Sequence, residues 1–321
     1  MNIAQANTEP FFTFLRTREE LDRTIKVTTG ALRDLQVRAS REDAVDVNVV
    51  QRAVAESGEP WGGGINLQAP GEQIDRTINH LSGLWTSAFI SAFHLFLDGV
   101  AAEQNRWASV TKKKAPFSKK TNKDGDIDLE LLYQSNGWSR NGVDALLPVF
   151  RFFEVIRNCV VHRSGLASDL LVEKSQDKYV LDSIAAMSRK QRKVVRPIPE
   201  LPSFSRSEVM PILPRHAILA GEICYRLAVD INQHLVSYLG QGGMTYMAAF
   251  YSIIADEHPA RRDHHVEAIR AICLYLKARY RASDIDPVAC IQDLRDINKW
   301  QAVSKRFAEL YGVGGRTPLG Q

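Results

Sequence analysis

The feature that most constrains the fold is a long apolar stretch, residues 73–107, whose hydrophobic side chains recur at helical spacing. A helix that is apolar around most of its circumference must be surrounded by other elements, so this stretch predicts a central helix or one that also forms an interface. His94 lies within it, and a buried, hydrogen-bonded histidine is favoured there over a catalytic one. The apolar residues that carry the pattern include Leu84, Trp85, Phe89, Phe93, Phe96 and Leu97.

The remaining periodic segments are also helical, and no strand-like alternation extends beyond a few residues. The sequence therefore predicts an all-α protein. Thr17-Arg-Glu-Glu resembles a capping box at the start of a helix, and Asp286-Pro287 resembles a cap followed by a first-turn proline. Further helices are predicted at residues 11–40, 127–135, 143–162, 168–187 and 216–239, with three or four shorter ones in 243–312.

Glycine and proline divide this helical pattern. The prolines between residues 197 and 214 exclude a continuous helix there, and Gly240-Gln-Gly-Gly predicts a helix stop and a hinge. Gly62-Gly63-Gly64 favours a flexible linker, because no Lys-Ser/Thr follows to form a phosphate-binding loop. We expect three parts: an N-terminal helical extension (1–70), a helical bundle with basic loops (71–240) and a C-terminal helical lobe (241–321).

The positive charge is local. Segment 109–123 carries six lysines and segment 188–196 carries five lysines and arginines, neither with an acid. Without these eleven, 30 of the 41 basic residues remain against 37 acidic ones. Such patches on an otherwise acidic protein favour contact with phosphate backbones, although lysine runs in loops also serve solubility alone. The candidate phosphate contacts are Lys112, Lys113, Lys114, Lys119, Lys120, Arg189, Lys190, Arg192 and Lys193.

Between these patches lies the helical stretch 150–165, which contains the order Arg157-Asn158-x-x-x-His162 before a Ser-Gly break. At about 100° per residue, Arg157 lies at roughly −60°, Asn158 at +40° and His162 at +80° relative to Glu154. Phe152, Ile156, Cys159 and Val160 fall on the opposite side of the helix. The segment therefore predicts a helix that buries one face and presents Glu, Arg, Asn and His on the other.

This Arg-Asn-x-x-x-His sequence, with Glu three residues before the Arg and Gly three after the His, resembles the signature of HEPN-domain proteins. These are small helical bundles, many of them metal-independent ribonucleases of prokaryotic toxin–antitoxin and defence systems. The resemblance covers about a dozen residues. It implies a HEPN-like up-and-down bundle, with catalytic residues at Arg157, Asn158 and His162 and a looser match at Glu154.

Metal-free RNA cleavage needs a proton carrier, which histidine supplies near neutral pH, and a cation for the phosphate, which arginine supplies. Asn158 would orient the imidazole or the phosphate, Glu154 would fix Arg157 by an ion pair, and Arg163 either assists with phosphate or interacts with the helix dipole. Arg157 and His162 are about 140° and 7.5 Å apart on the helix, so they converge poorly within one copy. Two antiparallel copies would set the Arg of one near the His of the other, and HEPN-like ribonucleases are dimeric in this way.

The resulting expectation is a cytoplasmic homodimer that cleaves single-stranded RNA without a cofactor or metal, with an antitoxin or regulatory protein as a further partner. The alternatives are a non-catalytic helical interaction module and a DNA-binding regulator that uses a helix-turn-helix within 286–310. His258 and Asp263-His264-His265 favour a solvated loop over a metal site.

Three absences complete the expectation. The four cysteines are scattered without metal-ligand spacing, which is typical of reduced, mostly buried residues in the cytosol. The sequence contains no run of about 18 uninterrupted apolar residues, so no membrane span is expected. The N-terminus lacks the basic and apolar regions of a secretory signal.

Overall fold

The computed structural model describes residues 1–39, 55–58, 70–112, 127–190, 200–255 and 267–311, with the backbone alone at residues 39, 70 and 187–190. Within these ranges the chain is helical and contains no strand, which confirms the all-α prediction. The β-type pairings found there are isolated bridges, Asn2 with Ser283 and Leu166 with Val209.

Ten α-helices are described. A 3₁₀ turn (Asp144–Leu146) precedes the fourth helix, and a π-helical turn (Phe250–Ile254) extends the seventh. In chain order the helices are α1 (Glu9–Ala39), α2 (Pro70–Thr111), α3 (Leu129–Asn136), α4 (Leu147–His162), α5 (Asp169–Ser175), α6 (Lys178–Lys190), α7 (Pro214–Ala249), α8 (Ala268–Ala278), α9 (Pro287–Asp296) and α10 (Trp300–Tyr311).

Helix α2 is the longest of these, as its apolar pattern predicts. Phe89, Phe93 and Leu97 are completely buried, and His94 is buried too. Among the described helices, α2 alone is long and apolar enough to cross a membrane, over Gly71–Thr111. Of its most apolar window, 67% is buried inside the protein, a pattern that core helices share. The expected absence of a membrane span stays a prediction.

Local polar side chains set several helix ends. Asp128 accepts hydrogen bonds from the backbone amides of Glu130 and Leu131, and Asp286 accepts one from Val288 ahead of the first-turn proline. Gly137 ends α3 with a left-handed φ of 64°, a conformation that costs glycine little.

The capping box predicted at Thr17 is wrong, because α1 begins at Glu9 and continues through Thr17. At the observed start, the amide and the hydroxyl of Thr8 both donate to Oδ1 of Asn232. Phe11 and Phe14 are buried against the ring of Phe96. This packing extends the helix two turns beyond the box.

The contacts group the chain into two compact units. Unit 1 contains residues 1–15, 94–141 and 228–321, and unit 2 contains residues 16–93 and 142–227. Each unit combines separate stretches of the chain, whereas the three predicted parts are continuous segments. The three-part division stays a prediction. The core of unit 2 includes a cluster of Ile25, Trp85, Phe89 and Ala217.

The predicted helix stop at Gly240 is a kink. Gly240 leaves the helical conformation, with φ 58°, but the helix resumes and continues to Ala249. Both sides of the kink belong to unit 1, so the glycine does not separate the two units.

Candidate active site

Helix α4, in unit 2, carries the Arg-Asn-x-x-x-His motif in its last six residues. A 3₁₀ turn and Pro148 precede its first full turn, where the missing amide of proline costs no helical hydrogen bond. The helix ends where the amides of Arg163 and Gly165 both donate to the carbonyl of Cys159. The buried residues of the helix are Leu147, Val149, Phe150, Phe152, Phe153, Ile156 and Cys159.

The opposite face of α4 presents the predicted site residues. Glu154, Arg157 and Asn158 are half-buried, and His162 is exposed as the last residue of the helix. In the second half of the helix the buried residues lie opposite these four, whereas Phe150, one turn before Glu154, is buried at their phase. The helix places all four residues on one surface.

Arg157 and Asn158 contact each other directly. Nη1 of Arg157 donates to Oδ1 of Asn158 at 2.9 Å. A guanidinium has donors only, so the amide side that faces it is the oxygen and the NH₂ group points elsewhere. The pair therefore presents a cation and an adjacent amide donor, a combination suited to phosphate oxygens.

Arg157 and His162 are separated by five residues of continuous helix. Continuous helix holds them about 7.5 Å apart along the axis and about 140° apart around it. A single copy of α4 therefore does not direct both side chains at one phosphate.

Glu154 lies beside a buried thiol. Burial raises the pKa of Cys224 on α7, and the nearby carboxylate of Glu154 raises it further. The carboxylate of Glu154 is therefore close enough to α7 to act on this thiol. The predicted ion pair between Glu154 and Arg157 stays a prediction.

The predicted phosphate contacts fall in different places. Arg163 is exposed directly after α4 in unit 2, whereas Lys112 is exposed at the end of α2 in unit 1. Arg189 and Lys190 end α6, where the backbone alone is described. Lys113, Lys114, Lys119, Lys120, Arg192 and Lys193 lie outside the described residues, as do His258 and Asp263-His264-His265.

Two residues of the same face were missed. Arg151 is exposed on α4 at about +60° from Glu154, close in phase to Asn158 and His162. Val161 is 52% exposed at about −20°, between Arg157 and Glu154 in projection. The angle of 100° per residue places both on this face, but neither belongs to the Arg-Asn-x-x-x-His motif from which the site was predicted.

Unit 1 contains a second group of polar residues that sequence analysis did not identify. Glu103 of α2 is completely buried, and burial followed by the charge of Glu9 raises its pKa to about 8. The Tyr251 hydroxyl and the Glu9 backbone lower this pKa only in part, and neither bonds the carboxyl with ordinary geometry. We call Glu9, Glu103, Arg106, Tyr251, Tyr275 and Arg279 the buried polar cluster.

The other members of the buried polar cluster are closely paired. Glu9 forms an ion pair with Arg279 and accepts a hydrogen bond from the Tyr275 hydroxyl at 2.5 Å. Arg106 donates to the hydroxyl of Tyr251 at 3.2 Å, and its guanidinium lies 3.6 Å from the ring centre of Phe250. Strongly shifted groups mark candidate sites, but this cluster is enclosed and is suited to holding unit 1 together.

Neither the thiols nor the potential metal ligands of the described residues form a further candidate site. In the described ranges all four cysteines are free thiols, three of them buried and Cys273 partly exposed, as the sequence predicts. No three His, Cys, Asp or Glu side chains within those ranges are arranged to hold a metal ion.

No family model matches the chain, and neither a curated protein nor a solved structure matches it significantly.

Proposed function

We propose that the protein is a metal-independent endoribonuclease of the HEPN type, active as a homodimer on single-stranded RNA. The observation that carries this proposal is the open face of α4, where a hydrogen-bonded Arg157–Asn158 pair and the exposed His162 share one surface. Glu154, Arg157 and Asn158 are half-buried on the same helix. The all-α fold agrees with a helical bundle.

In the proposed reaction, the 2′-oxygen attacks the adjacent phosphorus and the bond from phosphorus to the 5′-oxygen breaks. His162 either takes the proton of the 2′-hydroxyl while water protonates the departing 5′-oxygen, or protonates that oxygen while water takes the 2′-hydroxyl proton. Arg157 stabilises the charge that develops on the phosphate oxygens, and Asn158 donates an amide hydrogen bond beside it. The products are a 2′,3′-cyclic phosphate and a 5′-hydroxyl.

The dimer follows from the spacing within α4. Two copies of the helix packed antiparallel bring Arg157 of one copy towards His162 of the other, which forms a composite site twice by symmetry. Val161 supports such a contact, because a 52% exposed valine in the middle of a polar face gains by being covered. Arg151 and Arg163 lie on or beside the same face and add phosphate contacts for the strand.

The test is cleavage of an end-labelled single-stranded RNA in EDTA. Wild type should cleave and leave a cyclic phosphate, whereas His162→Ala and Arg157→Ala should each lose at least about 100-fold in rate. A matched control is Arg140→Ala, an exposed arginine outside α4. No cleavage by wild type would favour a binding module, and equal cleavage by all variants would place the activity elsewhere.

A second candidate is a DNA-binding lobe. Helices α9 and α10 are joined by three residues, one of them Asn298 with a left-handed φ of 56°, which is the connection expected of a helix-turn-helix. Exposed Lys305 and Arg306 lie on α10, but Arg306 pairs with Glu309 on the same helix. Salt-dependent binding of duplex DNA that is lost in Lys305→Ala would favour this alternative.

A further inference from the structure

Unit 1 contains an open cleft of about 710 Å³ between α8, the turn that follows it and the start of α9. This size falls within the range typical of small-molecule sites. The residues that line it include Arg270, Cys273, Leu274, Lys277, Ser283 and Pro287.

One wall of the cleft is a regular stripe along α8. Arg270, Leu274 and Lys277 recur every three or four residues and therefore share one side of the helix. The stripe begins and ends with a cation, and the two cations are about 10 Å apart along the axis. Leu274, between them, is 53% exposed, which is unusual for a leucine in a packed lobe.

The other wall is a turn held in a fixed conformation. Ser283 pairs with Asn2 through two backbone hydrogen bonds of 2.8 and 3.3 Å, and the amide of Ala282 donates to the carbonyl of Leu276. Arg281 and Asp284 both have left-handed backbones, with φ of 53° and 51°. Residues other than glycine keep such conformations where the surroundings impose them, so the cleft is shaped before any ligand binds.

The lining of the cleft carries two cations and one carboxylate on an apolar base, and the carboxylate of Asp286 lies near Cys273. Arg270 and Lys277 are exposed, and neither forms an ion pair with another residue in the described part of the chain. Asp284 is the acid of the lining, and its carboxylate accepts a hydrogen bond from Ser283 at 3.2 Å. Ile269 and Ala282 are buried beneath, and Pro287 borders the opening.

We propose that this cleft binds a small amphiphilic anion, a molecule with an apolar body and one carboxylate or phosphate group. The apolar body would cover Leu274 and the base of the cleft, and the anionic group would lie above this body, within reach of the long side chains of Arg270 and Lys277. The cleft belongs to unit 1 and the α4 face to unit 2, so this site is independent of the proposed ribonuclease.

Isothermal titration calorimetry with decyl phosphate, below its micelle concentration, tests the proposal on the full-length protein. Saturable binding of one molecule per chain is expected. The double variant Arg270→Gln/Lys277→Gln should weaken binding at least about tenfold, since it removes both charge-assisted contacts. Leu274→Glu, which places an acid in the exposed centre of the stripe, should abolish binding without disturbing the core.

Two controls separate this site from unspecific adsorption. Arg140→Gln removes an exposed arginine of the same unit outside the cleft and should leave the affinity unchanged within about twofold. Decyl maltoside has the same chain without the charge and should bind much more weakly than decyl phosphate. No saturable binding, equal binding of the two amphiphiles, or equal weakening by Arg140→Gln would overturn the proposal.

Discussion

Nη1 of Arg157 donates to Oδ1 of Asn158 at 2.9 Å, so two successive residues of α4 act as one polar group. The two polar ends of the Asn158 amide can therefore be tested separately. Its oxygen accepts from the guanidinium, and in the proposed function its NH₂ group donates to a phosphate oxygen.

Asn158→Asp separates these two functions. An aspartate keeps an acceptor for Arg157 but loses the amide donor and adds a negative charge beside the phosphate. If Asn158 donates to the phosphate, the rate of RNA cleavage should fall at least about 100-fold, as for other lost transition-state donors. Cleavage by Asn158→Asp close to the wild-type rate would limit Asn158 to positioning Arg157. Circular dichroism of the variant should be unchanged, because Asn158 is only half-buried.

The packing of α7 on α2 within unit 2 can be tested at one glycine. A Cβ atom added to Gly221 would lie 2.8 Å from Cε1 and Cζ of Phe89, a ring that is completely buried. Gly221→Ala should therefore lower the free energy of unfolding by about 1–3 kcal/mol, the usual cost of overpacking a core. Urea denaturation measures this change.

Gly30→Ala is the matched control for Gly221→Ala. Gly30 is an exposed residue inside α1, and a Cβ atom there meets nothing within 4 Å. The same chemical change should stabilise the protein by about 0.5–1 kcal/mol, because alanine restricts the unfolded chain and favours helix. Destabilisation of similar size by both variants would contradict the described packing at Phe89.

The buried carboxyl of Glu103 predicts a pH-dependent stability. Its folded pKa of about 8 lies above its ordinary value of 4.5, so the folded protein retains a proton that the unfolded chain releases. The stability contributed by this group is therefore complete below pH 4.5 and is lost as the pH rises from 4.5 to about 8. Glu103→Gln keeps the neutral shape and should remove this loss, which is on the order of a few kcal/mol.

Thermal unfolding between pH 5 and 9 measures the difference between wild type and Glu103→Gln. The melting temperatures of the two proteins should diverge as the pH rises, with the variant the more stable at pH 9. Glu19→Gln changes an exposed carboxylate of α1 and should follow wild type throughout. Parallel curves for wild type and Glu103→Gln would show that Glu103 does not stay protonated in the folded state.

The sequence predicted α2 and the buried side of α4 because their apolar residues repeat at helical spacing, a pattern that needs no knowledge of distant contacts. The start of α1 could not be placed in this way. Phe11 and Phe14 belong to the helix because Phe96, eighty residues away, packs on them. Packing against another segment, and not the local capping pattern at Thr17, therefore determines where α1 begins.

The two candidate sites also differ in whether a local sequence pattern or contacts between distant residues define them. The α4 face follows from the phase of one helix, so Glu154, Arg157, Asn158 and His162 were identified together. The buried polar cluster joins Glu9, Glu103, Tyr251 and Arg279, which are far apart in sequence and have no common spacing. A local signal was an acid and an amide, Glu103-Gln104, at the end of the apolar stretch of α2, and both are completely buried.

The most direct test of the composite ribonuclease site mixes two inactive variants. Arg157→Ala and His162→Ala are unfolded together and refolded as an equimolar mixture, and cleavage of single-stranded RNA is measured in EDTA. Half of the dimers then contain one chain of each variant, and one of the two sites in each has both native residues, so activity should return to about one quarter of wild type. Each variant refolded alone should stay inactive. A mixture as inactive as its components, with wild type active after the same treatment, would contradict a site shared between two copies of α4.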